Sequence, residues 1–223
     1  GVKWHTTPWF TPTREFNADD VLFSFMRQWQ KDHPWYDVGG GNYQYFAGMG
    51  FPKLLKAIEK VDEHTVRMEL NEPNAAFLPD LAMDFASILS AEYADQLAAA
   101  DQQNQMNQRP VGTGPFVFVD YQKDAIIRYK ANADYHGTPP RIDNLVFAIT
   151  PDASVRLQKT RAGECHVMSF PNPADLDAIE KDPNIELMSQ AGLNVGYLAL
   201  NVEKEPLDQV EVRQALAMAV DRK

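Results

Sequence analysis

Residues 109–168 read RPVGTGPFVFVDYQKDAIIRYKANADYHGTPPRIDNLVFAITPDASVRLQKTRAGECHVM, and the order of their elements decides the fold class. Residues 109–115 (RPVGTGP) are a cluster of turn formers and mark a boundary. Phe116–Val119 and Ala125–Lys130 flank the polar stretch Asp120–Asp124, the pattern of a β-hairpin. Leu145–Ile149 is short and nearly all apolar, as expected of a strand buried on both faces. Pro151–Ala162 reads as a helix closed by Gly163, and Cys165–Met168 as a strand. Strands and helices interleave throughout, which gives an α+β fold with mixed sheets and helices packed around them.

Upstream of this stretch, Asn17 reads as a helix N-cap, with Asp20 at the third helical position to support the first turn. Val21, Leu22, Phe25, Met26 and Trp29 then recur at helical spacing as one apolar stripe, and His33-Pro34 ends the element. Residues 37–50 (DVGGGNYQYFAGMG) are rich in glycine and aromatics, the composition of a loop packed on itself. Ala57–Val61 and Thr65–Leu70 predict a hairpin across Asp62–His64. Pro73 and Pro79 frame a short helix expected to bury Phe77 and Leu78, and Glu92–Ala100 is an alanine-rich helix. The amide-rich segment Asp101–Gln108 reads as an exposed loop.

Downstream, Asn172 caps a helix over Ala174–Lys181, and Ile185–Ser189 and Val195–Asn201 read as strands. Asp208–Val220 is strongly amphipathic at helical period. Neither Val2 at the start nor this helix at the end has a turn signal beyond it, so both ends read as interrupted structure.

The bulk composition narrows the function classes. Net charge is −10, from 31 acidic against 21 basic residues. That balance argues against nucleic acid or an anionic membrane surface as partner, since both reward clustered Lys and Arg. No apolar run reaches the roughly 18 residues needed to span a bilayer. Cys165 and His166 invite a nucleophile–base reading, but neighbours on a strand point to opposite faces. Gly112 and Gly114 lack the Lys-Ser/Thr of a phosphate loop and precede a strand, so they form a turn. The five histidines show no metal-ligand spacing. Asp19 and Asp20 sit in a first helical turn, where the helix dipole favours them. No residue is therefore assigned to catalysis or to a metal. An enzyme with a dispersed active site, such as a hydrolase, is the reading from a different class.

Over essentially all 223 residues, and most clearly across 109–168, the order and spacing of these motifs resemble the extracellular solute-binding proteins of the peptide and nickel family. Its dipeptide-, haem- and glutathione-binding branch is the nearest. The resemblance implies a two-lobed periplasmic binding protein that delivers its ligand to an inner-membrane ABC permease, with no cofactor. It implies that the chain is a central portion of a longer protein. Residues 1–114 would be most of an accessory subdomain, 115–192 part of the first main lobe, and 193–223 the crossing into the second. A dipeptide or other short peptide is the expected cargo, with haem or glutathione as alternatives. Tyr43, Tyr45 and Phe46 in the glycine-rich loop, Ser169 after a strand, and Asn194 and Tyr197 at the crossing are the implied ligand-facing residues. The resemblance also implies a disulfide from Cys165 to a cysteine outside these 223 residues.

Overall fold

A computed structural model describes residues 1–192 and 196–221. Helix α1, Ala18–Trp29, begins where the Asn17 signal places it. The Asn17 side chain accepts the Asp19 N–H at 3.0 Å, and the Asp20 carboxylate accepts the Asn17 N–H at 3.0 Å. This reciprocal cap satisfies donors that a helix start leaves orphaned, and is worth about 1 kcal/mol. The apolar stripe of α1 then packs on a cluster built from Phe25, Phe46, Phe51, Leu55 and Ile58.

The one-turn helix α2 (Gln44–Gly48) occupies what reads in sequence as loop, and a second, α3 (Phe51–Leu54), follows directly after it. Gly39, Gly40, Gly41 and Gly50 all take positive φ in this region. At Gly41 a side chain is disfavoured by φ +64°, and a Cβ there would lie 2.7 Å from Asp37 Oδ1, which would have to move. Strands β1 (Leu55–Asp62) and β2 (Thr65–Leu70) form the expected antiparallel hairpin, with Ile58 opposite Met68. Helix α4 (Phe77–Asp80) is present, but Leu78 projects outward and is exposed; only Phe77 turns to the cluster. A single helical turn cannot bury two adjacent side chains on one side.

A 3₁₀ turn at Asp84–Ala86 leads into α5 (Ala91–Ala99), capped by the Ser90 hydroxyl. A second apolar cluster joins Trp4, Phe10, Trp35, Tyr93, Leu97 and Met106. Met106 belongs to a 3₁₀ turn, Gln103–Asn107, and is buried. The 101–108 segment is thus anchored by its one large apolar side chain and is not a fully exposed loop.

Strands β3 (Phe116–Gln122), β4 (Ile126–Ala131) and β5 (Asn144–Ala148) form a three-stranded sheet in that order, antiparallel throughout. His5 fastens the chain start to this sheet. Its backbone N–H donates to Gly112 O at 2.8 Å and its Nε2–H to Gly114 O at 2.9 Å. The Asn132 side chain donates to the same Gly114 carbonyl at 3.0 Å, so the 112–115 segment is held from both flanks. Strand β5 departs from expectation. Val146 and Phe147 are about half exposed, not buried on two faces. Among the described residues its sole strand neighbour is β4, and no layer covers both its faces. Helix α6, Ala153–Arg161, is capped by Asp152 and ends at Gly163 with φ +73°.

The chain separates into two units, Gly1–Met168 and Ser169–Lys223. In the second, a 3₁₀ turn at Pro173–Asp175 capped by Asn172 runs into α7 (Leu176–Glu180), and α8 spans Val210–Ala219. The expected strands at 165–168 and 185–189 do not form, and of the expected strand Val195–Asn201 the described residues 196–201 are not in a strand. Extended segments become strands only when a ladder partner takes their N–H and C=O groups. Val167, Met188 and Leu198 in these segments are all strongly exposed. The opposite-face argument against a Cys165–His166 dyad therefore lapses with its strand. No helix among the described residues is long and apolar enough to cross a membrane.

Candidate functional site

The inner face of α1 carries a second stripe that is polar. Asp20, Ser24 and Gln28 recur at four-residue intervals, so they stack on one side of the helix, and all three are buried. Asp20 is 0% exposed, yet its carboxylate is fully occupied. It accepts both Arg14 Nη groups at 2.8 Å each, the Asn17 N–H, and the Ala91 N–H at 2.8 Å. Ser24 Oγ accepts the Leu89 N–H at 2.8 Å and donates to Asp20 O at 2.7 Å. Gln28 Nε2 donates to Phe85 O at 2.9 Å. Three rungs thus pin the connector 85–91 alongside α1. A buried carboxylate is tolerated here because a bidentate arginine and two backbone donors replace its water.

That pinned connector is one wall of a cleft of about 400 Å3. The opposite wall is the segment carrying Tyr43, Tyr45 and Phe46, so the structure brings these three expected residues together. Their roles in the packing differ. Tyr45 stands 65% exposed at the rim. Phe46 is 1% exposed and packs its ring against Phe51 and Phe85, with centroids 5.3 and 6.0 Å away. Tyr43 lies between these extremes. Its hydroxyl donates to Tyr36 O at 2.9 Å and accepts from Arg27 Nη1 at 3.4 Å. The Arg27 guanidinium carbon sits 5.4 Å from the Tyr43 ring centre, within cation–π range. Burial pushes the Tyr43 phenol pKa up and holds the Arg27 pKa below its ordinary value. Burial, helped by the Arg27 charge, also lowers the pKa of His33.

Two lining residues escape a reading of the sequence alone. Arg27 falls outside the apolar stripe of α1 and looks like a solvated charge. Asp84 also lines the cleft, while its neighbour Phe85 packs against Phe51. The four-residue recurrence of Asp20, Ser24 and Gln28 is a signal that could have exposed the connector's anchoring.

The other expected residues lie elsewhere. Ser169 and Tyr197 belong to the unit Ser169–Lys223 and are exposed, Tyr197 to 83%. Asn194 lies outside the described residues. Cys165 is a half-buried free thiol and the single cysteine of the chain. No group of three or more His, Cys, Asp or Glu among the described residues is placed to hold a metal ion.

The chain is similar along its whole length to known proteins. The chain is 56% identical over 222 residues to the dipeptide-binding protein of Escherichia coli (strain K12), covering all of this chain and 42% of that protein. It is 54% identical over 223 residues to the heme-binding protein A of Haemophilus influenzae, again along its whole length and over 41% of that protein. Among solved structures, the dipeptide binding protein from Pseudoalteromonas sp. SM9913 in complex with Met-Leu superposes with a TM-score of 0.91 at 43% identity. That match covers 99% of this chain and 44% of the other. The chain thus spans about two fifths of the length of these relatives. The model of the bacterial extracellular solute-binding proteins, family 5 Middle, matches residues 1–223, and the chain belongs to that family.

Proposed function

We propose that the protein carrying this chain captures dipeptides or other short peptides in the periplasm and hands them to an inner-membrane ABC permease. The observation that carries this reading is the cleft of Arg27, Tyr43 and Tyr45, open at its rim and backed by a hydrogen-bonded wall. A rigid wall with aromatic side chains suits a flexible peptide, because the protein side loses little freedom on binding. Tyr45 presents its ring for stacking, and Phe46 holds the segment in place from beneath. In this reading Ser169, Asn194 and Tyr197 complete the ligand surface. Residues 1–114 form the accessory subdomain, 115–192 part of the first lobe, and 193–223 the crossing to the second. Hinge closure of two lobes over the ligand then creates the form that the permease recognises. The protein acts by binding and release and transforms nothing. Cys165 pairs with a cysteine outside these residues.

A second cargo has a specific observation in its favour. Identity to a heme-binding protein, 54%, nearly equals that to a dipeptide-binding protein, 56%. Haem or glutathione would use the same aromatic surface. Calorimetric titration of the natural polypeptide with Ala-Phe, glutathione and haem separates the three. Tyr45→Ala should weaken the cargo that binds by roughly tenfold, the cost of truncating one aromatic anchor. An unchanged affinity would remove the cleft from the ligand path.

A further inference from the structure

His33 lies in the turn that leaves α1, and its half-buried ring is tied back into that turn. Pro34 supplies no N–H, so the first backbone donor after His33 is that of Trp35. That N–H donates to His33 Nδ1 at 3.1 Å. The Tyr36 N–H donates to His33 O at 2.8 Å, so one residue holds both of the next two donors. Trp35 is buried in the second apolar cluster. The Tyr43 hydroxyl docks on this turn, donating to Tyr36 O at 2.9 Å and to Trp35 O at 3.4 Å. Tyr43 in turn stands at the start of α2, where its carbonyl accepts the Ala47 N–H at 2.9 Å, and α2 carries Tyr45 to the rim of the cleft. A hydrogen-bonded path thus runs from the His33 ring to the aromatic wall.

A backbone N–H only donates, so the nitrogen it bonds carries no proton. The imidazolium has a proton on both nitrogens, and its Nδ1–H would be aimed at the Trp35 N–H. The charges that reach His33 are Arg27, from α1, which opposes a second cation, and Asp32, on its own turn, which favours one. Phe23, also from α1, presents an uncharged ring 5.9 Å from the imidazole. The Tyr43 phenol stays neutral through this range, since burial pushes its pKa up. Burial first, then Arg27, holds the His33 pKa below its ordinary value, so the ring is neutral at neutral pH and the bond to Trp35 is intact. We infer that His33 is a positioning residue for the cleft: its unprotonated Nδ1 fastens the turn that docks Tyr43, and its protonation loosens that turn and weakens ligand binding. The role holds only if the cleft is the ligand site.

The test is calorimetry on the natural polypeptide, His33→Asn and His33→Ala at about pH 7.5 and about pH 5, on either side of the ordinary imidazole value. The probe is whichever of Ala-Phe, glutathione and haem binds the unsubstituted protein, and hydrogen exchange over residues 33–43 is followed without ligand. Asparagine keeps an acceptor for the N–H two residues on but does not titrate. The unsubstituted protein should bind roughly three- to tenfold more weakly at the lower pH, the worth of one hydrogen bond. Its 33–43 segment should also exchange faster there than that of His33→Asn. His33→Asn should keep its affinity at both pH values, and His33→Ala should be weakened at both. If His33→Asn loses as much on acidification as the unsubstituted protein, another group titrates and the inference is overturned. His33→Ala matching the unsubstituted protein at both pH values, with Tyr45→Ala still weakening the ligand, overturns it while sparing the cleft. Should the segment loosen on acidification while neither His33 variant nor Tyr45→Ala alters affinity, the cleft is not the ligand site and the inference falls with it. Exchange and His33→Asn decide the matter alone if His33→Ala does not fold.

Discussion

Helices α1 and α8 both carry apolar residues at helical spacing, more sharply segregated in α1, and meet different fates. α1 buries Phe25 in an apolar cluster on one flank and Asp20, Ser24 and Gln28 against the 85–91 connector on another. α8 has Val210, Val212, Leu216 and Met218 available for the same purpose, yet none of its residues is buried. Met218 is 85% exposed. The difference is not propensity, since both segments are helical. Amphipathic patterning makes a helix competent to pack, but the energy comes from the partner surface that the pattern meets. On α8 only Val212 and Arg213 are half-buried among the described residues, and Arg213 bonds the carbonyls of Leu207 and Asp208.

The contrast can be broken at either helix. The largest effect is expected from Asp20→Ala, which strands Arg14 and the Asn17 and Ala91 N–H groups together. Loss of one partner of a buried ion pair should cost about 3–5 kcal/mol, read from urea unfolding; a change below about 1 kcal/mol would mean that Asp20 is not the hub of the α1 contact. Ser24→Ala removes the acceptor of the Leu89 N–H together with the hydroxyl donor to Asp20 O, and leaving the one buried donor unsatisfied should cost about 1–3 kcal/mol. The connector should then exchange its amide hydrogens faster, and unchanged exchange at Leu89 would show that the rung is dispensable.

A pH titration sharpens the same comparison at the other end of the first unit. Burial of His5 outweighs its hydrogen bond to Gly114 O and holds its pKa below the usual value near 6.5. The folded state therefore binds fewer protons than the unfolded state, and stability rises with pH through this window. The contribution of His5 is complete above about pH 6.5 and is lost as pH falls through the depressed folded value. His5→Gln should flatten the fall of stability as pH drops below about 6.5, as monitored by the urea midpoint. His33, lowered mainly by burial, keeps a residual slope of the same sign. An equally steep profile in His5→Gln would remove His5 from the account. The smallest effect belongs to α8. Leu216→Ser in the 223-residue chain should stay within about 0.5 kcal/mol, as for a surface substitution. A larger loss would show that α8 packs against a surface not evident among the described residues.

Much of the fold is legible in the residues themselves. The Asn17 cap, both hairpins, the Asp152–Gly163 helix and the Asn172 cap rest on local chemistry and appear where their signals lie. The expectations that fail share a cause. Strands at 165–168, 185–189 and 196–201 and the two-faced burial of β5 all depend on distant partners, and a window of five or six residues holds no information about a partner. Leu78 and Met106 fail in the same way at smaller scale, since burial of one side chain depends on which neighbour arrives.

The candidate site divides similarly. Residue composition alone marks the glycine-rich aromatic segment 37–50, because successive positive-φ glycines and clustered tyrosines have few other uses. The meeting of that segment with Arg27, Asp84 and Phe85 from two other elements is settled only by the fold. Sequence determines capping, turns and periodicity because those interactions close within a few residues, where the chain itself sets the distance. Which charge is compensated, as at Asp20, and which meets no carboxylate among the described residues, as at Arg27, depends on what lies within a few ångströms in space. Tertiary structure alone supplies that distance.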